Sequence, residues 1–190
     1  MIINDKIKML LKKKMTLKKA SYDTINDEYM TSSDVEVYHL DGLLYAMQRY
    51  ANQHDEIFVH RSSETPSACD ALYIDKVNNK FVLIEFKNGK LPKKTIVNIH
   101  NKALDSIKIL SYIFDMPLEV ISKRTKFVLV YNEIKNTEPF ECYEPYEREL
   151  DYLTNGYIHF GLGKYQGTLY SEVHTLGMEQ FNNNLERILK

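Results

Sequence analysis

The chain has 190 residues, of which 44% are hydrophobic and 27% are charged, and its net charge is −1. The length allows one domain with a sizeable core, and the composition is that of a globular protein rather than a disordered or fibrous one. No apolar run has the length of a membrane span, and two cysteines do not make a disulfide framework. We therefore expect a cytoplasmic protein with no membrane partner.

The first twenty residues are strongly basic. They contain seven lysines and a single acid, Asp5, whereas the rest of the chain carries 18 basic and 25 acidic residues. Their apolar residues have the spacing of an amphipathic helix, so we expect a basic helix over residues 1–20. We predict an arm and connection over residues 1–33, followed by the main domain over residues 34–190. The lysines of the arm that we expect to contact nucleic acid are Lys12, Lys13 and Lys14.

The next elements are predicted from their hydrophobic spacing. Apolar residues recur at helical intervals over residues 33–53, and Ser33 or Asp34 can cap this helix. A short strand is expected over residues 56–62. Residues 69–91 then form two apolar strands around the dipeptide Asn78-Asn79, which is typical of a hairpin turn.

A second long helix and a buried strand complete the predicted core. Thr95 can cap the helix, and Pro117 follows its end. Its apolar stripe consists of Ile96, Ile99, Ala103, Ile107, Leu110 and Phe114. Residues 125–132 are continuously apolar, which indicates a strand buried on both faces. The predicted fold is α/β, with a mixed central sheet flanked by helices and a core over residues 34–132.

The C-terminal extension over residues 133–190 has weaker patterns. We expect a short helix over residues 144–153, strands over residues 156–163 and 168–176, and a final helix over residues 177–190. The final helix would pack through Met178, Phe181, Leu185 and Ile188.

Three charged residues interrupt the apolar hairpin. If the turn is closed at Asn78-Asn79, Asp70 faces Lys87 and Leu72 faces Glu85. Side chains alternate along a strand, so Asp70, Glu85 and Lys87 share one face, with the two acids as diagonal neighbours. Charges among buried residues cost several kcal/mol unless they are paired, hydrated or bound to a metal. We therefore predict a cleft at this end of the hairpin, where a cation joins the two carboxylates.

This pattern resembles the PD-(D/E)xK nuclease superfamily, in its element order and in the motifs "SACDALYI" and "FVLIEFKNG". The resemblance covers about residues 34–132 and implies a restriction-endonuclease-like αβββαβ core. It also implies that Asp70, Glu85 and the backbone carbonyl of Phe86 bind Mg²⁺ or Mn²⁺, and that Lys87 positions the attacking water. Cys69 replaces the proline that usually precedes the aspartate in this superfamily.

Further residues are candidates around this site. In the superfamily an acid on the first helix often completes the metal site, and Glu36 and Asp41 are the two candidates here. His60 could approach the metal or the substrate, although a solvent-facing or hydrogen-bonded role is the simpler interpretation. Lys102 could contact a phosphate, and an exposed helix lysine is an equally good interpretation. Three lysines after the hairpin could touch a nucleic-acid backbone, namely Lys90, Lys93 and Lys94.

The resemblance implies a Mg²⁺- or Mn²⁺-dependent nuclease that hydrolyses phosphodiester bonds, with DNA favoured over RNA as the partner and a homodimer as one arrangement. Two alternatives remain open. The chain could be a noncatalytic member of the same fold that binds nucleic acid or protein. It could also be an RNA endonuclease, for which His39 is the candidate histidine ligand on the first predicted helix.

Overall fold

The structure is a computed structural model that describes residues 5–54, 56, 66–136 and 158–190. The strands in these residues are β1 (Lys14–Thr16), β2 (Tyr22–Asp23), β3 (Glu28–Tyr29), β4 (Glu36–Tyr38), β5 (Ala71–Asp75), β6 (Lys80–Lys87), β7 (Thr125–Tyr131) and β8 (Glu172–Gly177). A six-stranded sheet has the order β1-β4-β5-β6-β7-β8, and β2 and β3 form a separate hairpin. The strands from β1 to β6 pair antiparallel with their neighbours, whereas β6, β7 and β8 pair in parallel. The expected mixed sheet is confirmed.

Helices cover both faces of this sheet. They are α1 (Asp5–Leu11), α2 (Leu17–Ala20), α3 (Leu44–Gln53), α4 (Lys93–Phe114), α5 (Leu118–Ser122), α6 (Met178–Asn183) and α7 (Leu185–Leu189). One face packs against α1, α3 and α4, in a core that includes Leu83, Phe127 and Ile107. The other face packs against α6 and α7 through Phe181 and Ile188. In the part of the chain that is described, no helix is both long enough and apolar enough to cross a membrane.

Helix α4 connects the parallel strands β6 and β7, which cannot be joined by a tight turn. The predicted stripe of this helix faces the core, with Phe114 only partly buried. Thr95 does not cap this helix, which begins two residues earlier at Lys93, with Pro92 in an extended conformation at the N-cap position. It ends after Phe114, where Asp115 adopts a left-handed conformation with φ of 52°.

The β5–β6 hairpin has the predicted faces but not the predicted register. Leu72 pairs with Leu83, and Asp75 pairs with Lys80, so the connection has four residues rather than two. Asp75 Oδ1 accepts hydrogen bonds from the backbone N–H groups of Val77 and Asn78 at 2.9 and 3.1 Å. These bonds stabilise a wider turn than Asn78-Asn79 alone would form. The register differs from the prediction by two residues, so every side chain keeps its predicted face.

The prediction of a helix over residues 33–53 is wrong for the first half of this range. Residues Glu36–Tyr38 form β4, and a 3₁₀ turn over Asp41–Leu43 precedes helix α3. Strand β4 pairs with β1 on one side and with β5 on the other. Backbone pairing with two strands that are distant in sequence therefore overrides the helical spacing of these residues.

The predicted single helix over residues 1–20 is also wrong. The described part of this segment forms α1, β1 and α2. Leu10 and Leu17 are fully buried in the two core clusters, and β1 is the edge strand of the large sheet. Residues 5–20 are thus packed against the rest of the chain, and the division at residue 33 stays a prediction.

The C-terminal predictions have mixed outcomes. The predicted strand over residues 168–176 corresponds to β8, which begins later, at Glu172. The described part of residues 156–163 is not a strand and leads into a 3₁₀ turn over Leu162–Tyr165. The final helix is divided at Asn184 into α6 and α7. The helix predicted over residues 144–153 and all but the first residue of the strand predicted over residues 56–62 lie outside the described residues.

Candidate metal centre

The two predicted acids lie opposite each other at the open end of the β5–β6 hairpin. Ala71 pairs with Ile84, and the same register continued by one residue places Asp70 directly across from Glu85. Asp70 Oδ2 accepts a hydrogen bond of 2.7 Å from the backbone N–H of Phe86, which fixes this carboxylate against β6. The Glu85 side chain is fully buried, whereas the Asp70 side chain keeps 24% of its surface exposed. The site therefore has one buried and one accessible carboxylate.

Two lysines bring positive charge to these acids. Lys102 Nζ lies 3.1 Å from Asp70 Oδ1 and 2.9 and 3.0 Å from the two Glu85 carboxylate oxygens. Lys87 Nζ lies 2.5 Å from Glu85 Oε1. Lys102 thus bridges both carboxylates from helix α4, while Lys87 contacts Glu85 from the same strand. The four groups carry no net charge when all of them are ionised.

Burial has a large effect on Glu85. It raises the pKa of this carboxyl to about 7, and the nearby Asp70 carboxylate adds to the rise, while Lys102 and Lys87 oppose it. For Lys102, burial alone would lower the pKa, but the Glu85 and Asp70 carboxylates outweigh burial and raise it. The pKa of the neighbouring Cys69 thiol is also raised, chiefly by burial and secondly by Glu85. Cys69 is therefore a neutral buried thiol rather than a ligand or a nucleophile.

Helix α4 also holds the segment that leads to Asp70. The backbone N–H of Cys69 donates to Ser106 Oγ at 2.8 Å, and the N–H of Ser67 donates to Asp105 Oδ2 at 3.1 Å. Asp105 and Ser106 are fully buried, so these bonds are shielded from water. These contacts give Asp105 and Ser106 a structural role, because they fix the backbone from which Asp70 projects.

The donor set suits a hard divalent cation. Glu85 Oε1 is a buried oxygen that accepts no hydrogen bond of good geometry from the described residues, although both ammonium groups lie within ion-pair distance. Two carboxylates at this spacing already hold the Lys102 ammonium, and carboxylate oxygens are also the ligands that Mg²⁺ and Mn²⁺ prefer. Across the described residues, no group of three or more His, Cys, Asp or Glu side chains has the geometry to hold a metal. Asp70 and Glu85 could hold such an ion, with water and substrate oxygens as further ligands.

The additional predicted acids lie in different surroundings. Glu36 is paired with Lys14, with 2.6 Å between the charged atoms, and the pairing of Tyr38 with Leu72 places Glu36 at the level of the hairpin turn rather than of Asp70. Asp41 is exposed at the start of the 3₁₀ turn after β4. The structure thus brings neither acid into contact with the two carboxylates. His60 lies outside the described residues.

The other predicted nucleic-acid contacts are on the surface. In the N-terminal segment, Lys12 is exposed, Lys13 is half-buried, and Lys14 forms an ion pair with Glu36. The remaining predicted lysines, Lys90, Lys93 and Lys94, are exposed in the loop after β6 and in the first turn of α4.

A polar cavity adjoins the site at the end of the β5–β6 hairpin where a cleft was predicted, but the contribution of the β2–β3 hairpin to it was not predicted. It has a volume of about 280 Å³ and lies between the β2–β3 hairpin and the end of β6. Its lining includes Ser21, Tyr22, Asp23, Asn88, Asp70 and Lys87. Asn88 donates to Glu28 at 2.9 Å and accepts from Asn132 at 2.7 Å, which ties the ends of β6 and β7 to the hairpin. These contacts join residues more than forty positions apart, so local sequence patterns carry no signal for them.

Comparison of the chain with protein-family models, with curated proteins and with solved structures finds no match.

Proposed function

We propose that the chain is a metal-dependent nuclease of the PD-(D/E)xK superfamily that hydrolyses phosphodiester bonds in nucleic acid, with DNA as its preferred substrate. The observation that carries this proposal is the convergence of Asp70, Glu85 and Lys87 at the open end of a buried hairpin. A fully buried glutamate in contact with two lysines is a poor source of stability, because desolvation offsets most of the ionic attraction. Such a cluster is better explained by chemistry than by packing.

The topology around the cluster supports a restriction-endonuclease-like core. β5 and β6 are antiparallel, α4 crosses over one face of the sheet, and β7 returns parallel to β6. This order agrees with the last part of the proposed αβββαβ arrangement. Asp70 immediately precedes β5, Glu85 lies on β6, and the lysine lies two residues after the glutamate.

The proposed cofactor is Mg²⁺ or Mn²⁺, held by Asp70, Glu85 and the Phe86 carbonyl. When bound, the ion neutralises charge on the phosphate and lowers the pKa of a coordinated water. The Phe86 N–H holds Asp70 in place by its hydrogen bond of 2.7 Å. Lys87 donates from Nζ to the attacking oxygen and stabilises the negative charge that develops in the transition state.

The surroundings of the site suit a polyanionic substrate. Lys87 keeps 25% of its side-chain surface exposed and lines the cavity beside the β2–β3 hairpin. The exposed Lys90 lies in the loop after β6, and the exposed Lys93 is the first residue of helix α4. We propose that they and Lys94 contact phosphates next to the one that is cleaved. We further propose that Lys12 and Lys13 contact phosphates farther along the nucleic acid.

A noncatalytic binding module is the second candidate function, and the position of Lys102 favours it. Its ammonium bridges both carboxylates and, together with that of Lys87, balances their charge, so the cluster is complete without a metal. An RNA endonuclease is the third candidate. His39 is its proposed histidine ligand, but this residue follows strand β4 instead of lying on a helix.

The test is an incubation of the full chain with single- and double-stranded DNA and RNA, each with Mg²⁺, Mn²⁺ or EDTA. We expect cleavage of DNA with either metal and none with EDTA. Asp70→Asn removes a proposed ligand and should lower the rate at least about 100-fold, the usual scale for losing one essential electrostatic contact. The matched control is Asp75→Asn, at the turn end of β5, which can keep its turn and should cleave at the wild-type rate.

Each outcome assigns one of the candidates. Cleavage of RNA alone would support the RNA endonuclease, and binding of nucleic acid without cleavage would support the binding module. The proposed DNase activity is contradicted if no DNA is cut with either metal, or if Asp70→Asn cuts at the wild-type rate.

A further inference from the structure

Lys102 holds the position between Asp70 and Glu85 that a divalent ion would need. Its Nζ lies 2.9 to 3.1 Å from oxygens of both carboxylates. Of the two carboxylates, Lys87 forms its ion pair with Glu85, so it leaves Asp70 accessible to a second cation. Of the two lysines, Lys102 is therefore the one whose ammonium and a bridging metal exclude each other.

The charge of the cluster leads to the same conclusion. Asp70, Glu85, Lys87 and Lys102 together carry no net charge when ionised. A divalent ion added to all four would leave two uncompensated positive charges around the fully buried Glu85. Such charges are costly beside a buried carboxylate. Displacement of one ammonium would therefore favour binding of the metal.

The Lys102 side chain has the freedom to leave. Its side chain keeps 18% of its surface exposed, so it has a path to solvent. Lysine has a flexible four-carbon stem that can rotate while the helix backbone stays in place. The backbone anchors of this part of α4, formed by Asp105 and Ser106, lie one turn farther along and do not involve Lys102.

We propose that Lys102 is an internal cation that occupies the metal position and is displaced from the two carboxylates when Mg²⁺ or Mn²⁺ binds. This inference rests on the proposed function. In the metal-free protein, Lys102 pairs with the two carboxylates and keeps them ordered. The same pairing lowers the affinity of the site for a divalent ion. Once displaced, its ammonium remains beside the site, where the next available anion is a phosphate of the substrate.

The first test measures affinity. Mn²⁺ is titrated by calorimetry into the full chain, into Lys102→Met and into Lys87→Met, two variants that remove one charge each and keep most of the apolar stem. We expect Lys102→Met to bind Mn²⁺ at least about ten times more tightly than the wild type, because no internal cation has to be displaced. Lys87→Met should show a clearly smaller gain, because Lys87 contacts one carboxylate and not the bridging position.

The second test observes the displacement in the wild-type protein, so it does not depend on the folding of a variant. The lysine side chains are labelled with ¹³C at Cε, and NMR spectra are recorded with and without saturating Mg²⁺. The Lys102 signal should move to the position and line width of an exposed lysine when Mg²⁺ binds. The Lys80 signal, from the turn end of β6, should not change.

The outcomes separate this inference from the proposed function. If metal binds and Lys102→Met has wild-type affinity, or if the Lys102 signal is unchanged at saturation, the displacement is contradicted and the nuclease proposal stands. If neither the wild type nor Lys102→Met binds metal, both proposals are contradicted.

Discussion

Helix α4 carries two basic side chains two residues apart, His100 and Lys102, and the comparison shows how partners decide the charge of a largely buried group. His100 Nε2 lies 2.9 Å from the Phe160 carbonyl oxygen, and Nδ1 lies 3.0 Å from the hydroxyl of Tyr165. The carbonyl can only accept, so Nε2 carries the proton and Nδ1 accepts from the hydroxyl. Both partners are neutral, and burial, assisted by the charge of Lys164, lowers the pKa of His100 to about 4.

Lys102 is buried to a similar degree but lies between two carboxylates. Burial opposes its charge, yet Glu85 and Asp70 outweigh burial and raise its pKa. The same helix therefore contains a neutral, hydrogen-bonded cluster that fixes structure and a charged cluster suited to chemistry. The difference lies in the partners rather than in the depth of burial. Changing Lys87 or His100 alone tests this difference.

The largest effect is expected at Lys87, the second cation of the charged cluster. If Lys87 orients the attacking water, Lys87→Ala should lower the cleavage rate by roughly two powers of ten or more. Lys80→Ala, at the other end of β6, is the matched control and should retain the wild-type rate. Cleavage rates and melting temperatures of both variants test this prediction. A stable Lys87→Ala protein that cuts normally would remove Lys87 from the mechanism.

A neutral anchor of α4 should affect stability instead. Ser106→Ala removes the acceptor of the buried Cys69 N–H and should lower the free energy of unfolding by about 1–3 kcal/mol. Thr168→Ala removes an exposed hydroxyl that donates to the Lys164 carbonyl, and it should change stability by less than about 0.5 kcal/mol. Urea denaturation measures both variants. Equal effects would mean that the Cys69–Ser106 bond does not hold the segment before Asp70.

The lowered pKa of His100 should make the free energy of unfolding depend on pH. Its pKa is about 4 in the folded chain, below the ordinary value of 6.5, so the unfolded chain takes up a proton first as the pH falls. The stability from neutral His100 is therefore complete above pH 6.5 and is lost between pH 6.5 and 4. After allowance for solvent screening, this loss is about 1–2 kcal/mol.

The variant His100→Gln isolates this contribution. It cannot take up a proton, so its free energy of unfolding should fall less than that of the wild type between pH 7 and 4. Urea titrations at several pH values provide the comparison. Parallel pH profiles for the two proteins would show that His100 is not held neutral by its partners.

The smallest effect is expected from the N-terminal lysines. Lys12→Gln/Lys13→Gln should weaken DNA binding by a few-fold at low salt and make its salt dependence shallower by at most about two units of slope. Substitution is a better test than deletion, because Leu10 and Leu17 of this segment are buried in the core. Lys76→Gln/Lys123→Gln, with two other exposed lysines, is the control. Equal salt slopes for both double variants would contradict a DNA contact in this segment.

The sequence predicted the elements whose signal is local and strong. The buried strand β7 and the apolar stripe of α4 follow from continuous or periodic hydrophobic residues. The shared face of Asp70, Glu85 and Lys87 follows from the alternation of side chains along the two paired segments of the hairpin, and it survives the register shift of two residues. These elements position the candidate site.

The missed features depend on contacts between distant residues. Strand β4 has three residues, and it forms because β1 and β5 pair with it from far away in the sequence. Lys102 was predicted only as a candidate phosphate contact, because its spacing on α4 does not indicate that two carboxylates lie within 3.1 Å of its ammonium. The four-residue turn of the β5–β6 hairpin depends on hydrogen bonds to Asp75, and the dipeptide Asn78-Asn79 alone gives no sign of them.

The most direct test of the account is the anomalous diffraction of crystals of the full chain soaked with Mn²⁺. We predict one strong anomalous peak between the Asp70 and Glu85 carboxylates, with the Lys102 ammonium moved away from both. The matching Asp70→Asn crystals should show no peak at this position. A wild-type map without a peak there, and with Lys102 still bridging the two acids at a Mn²⁺ concentration that supports cleavage, would contradict the proposed metal centre.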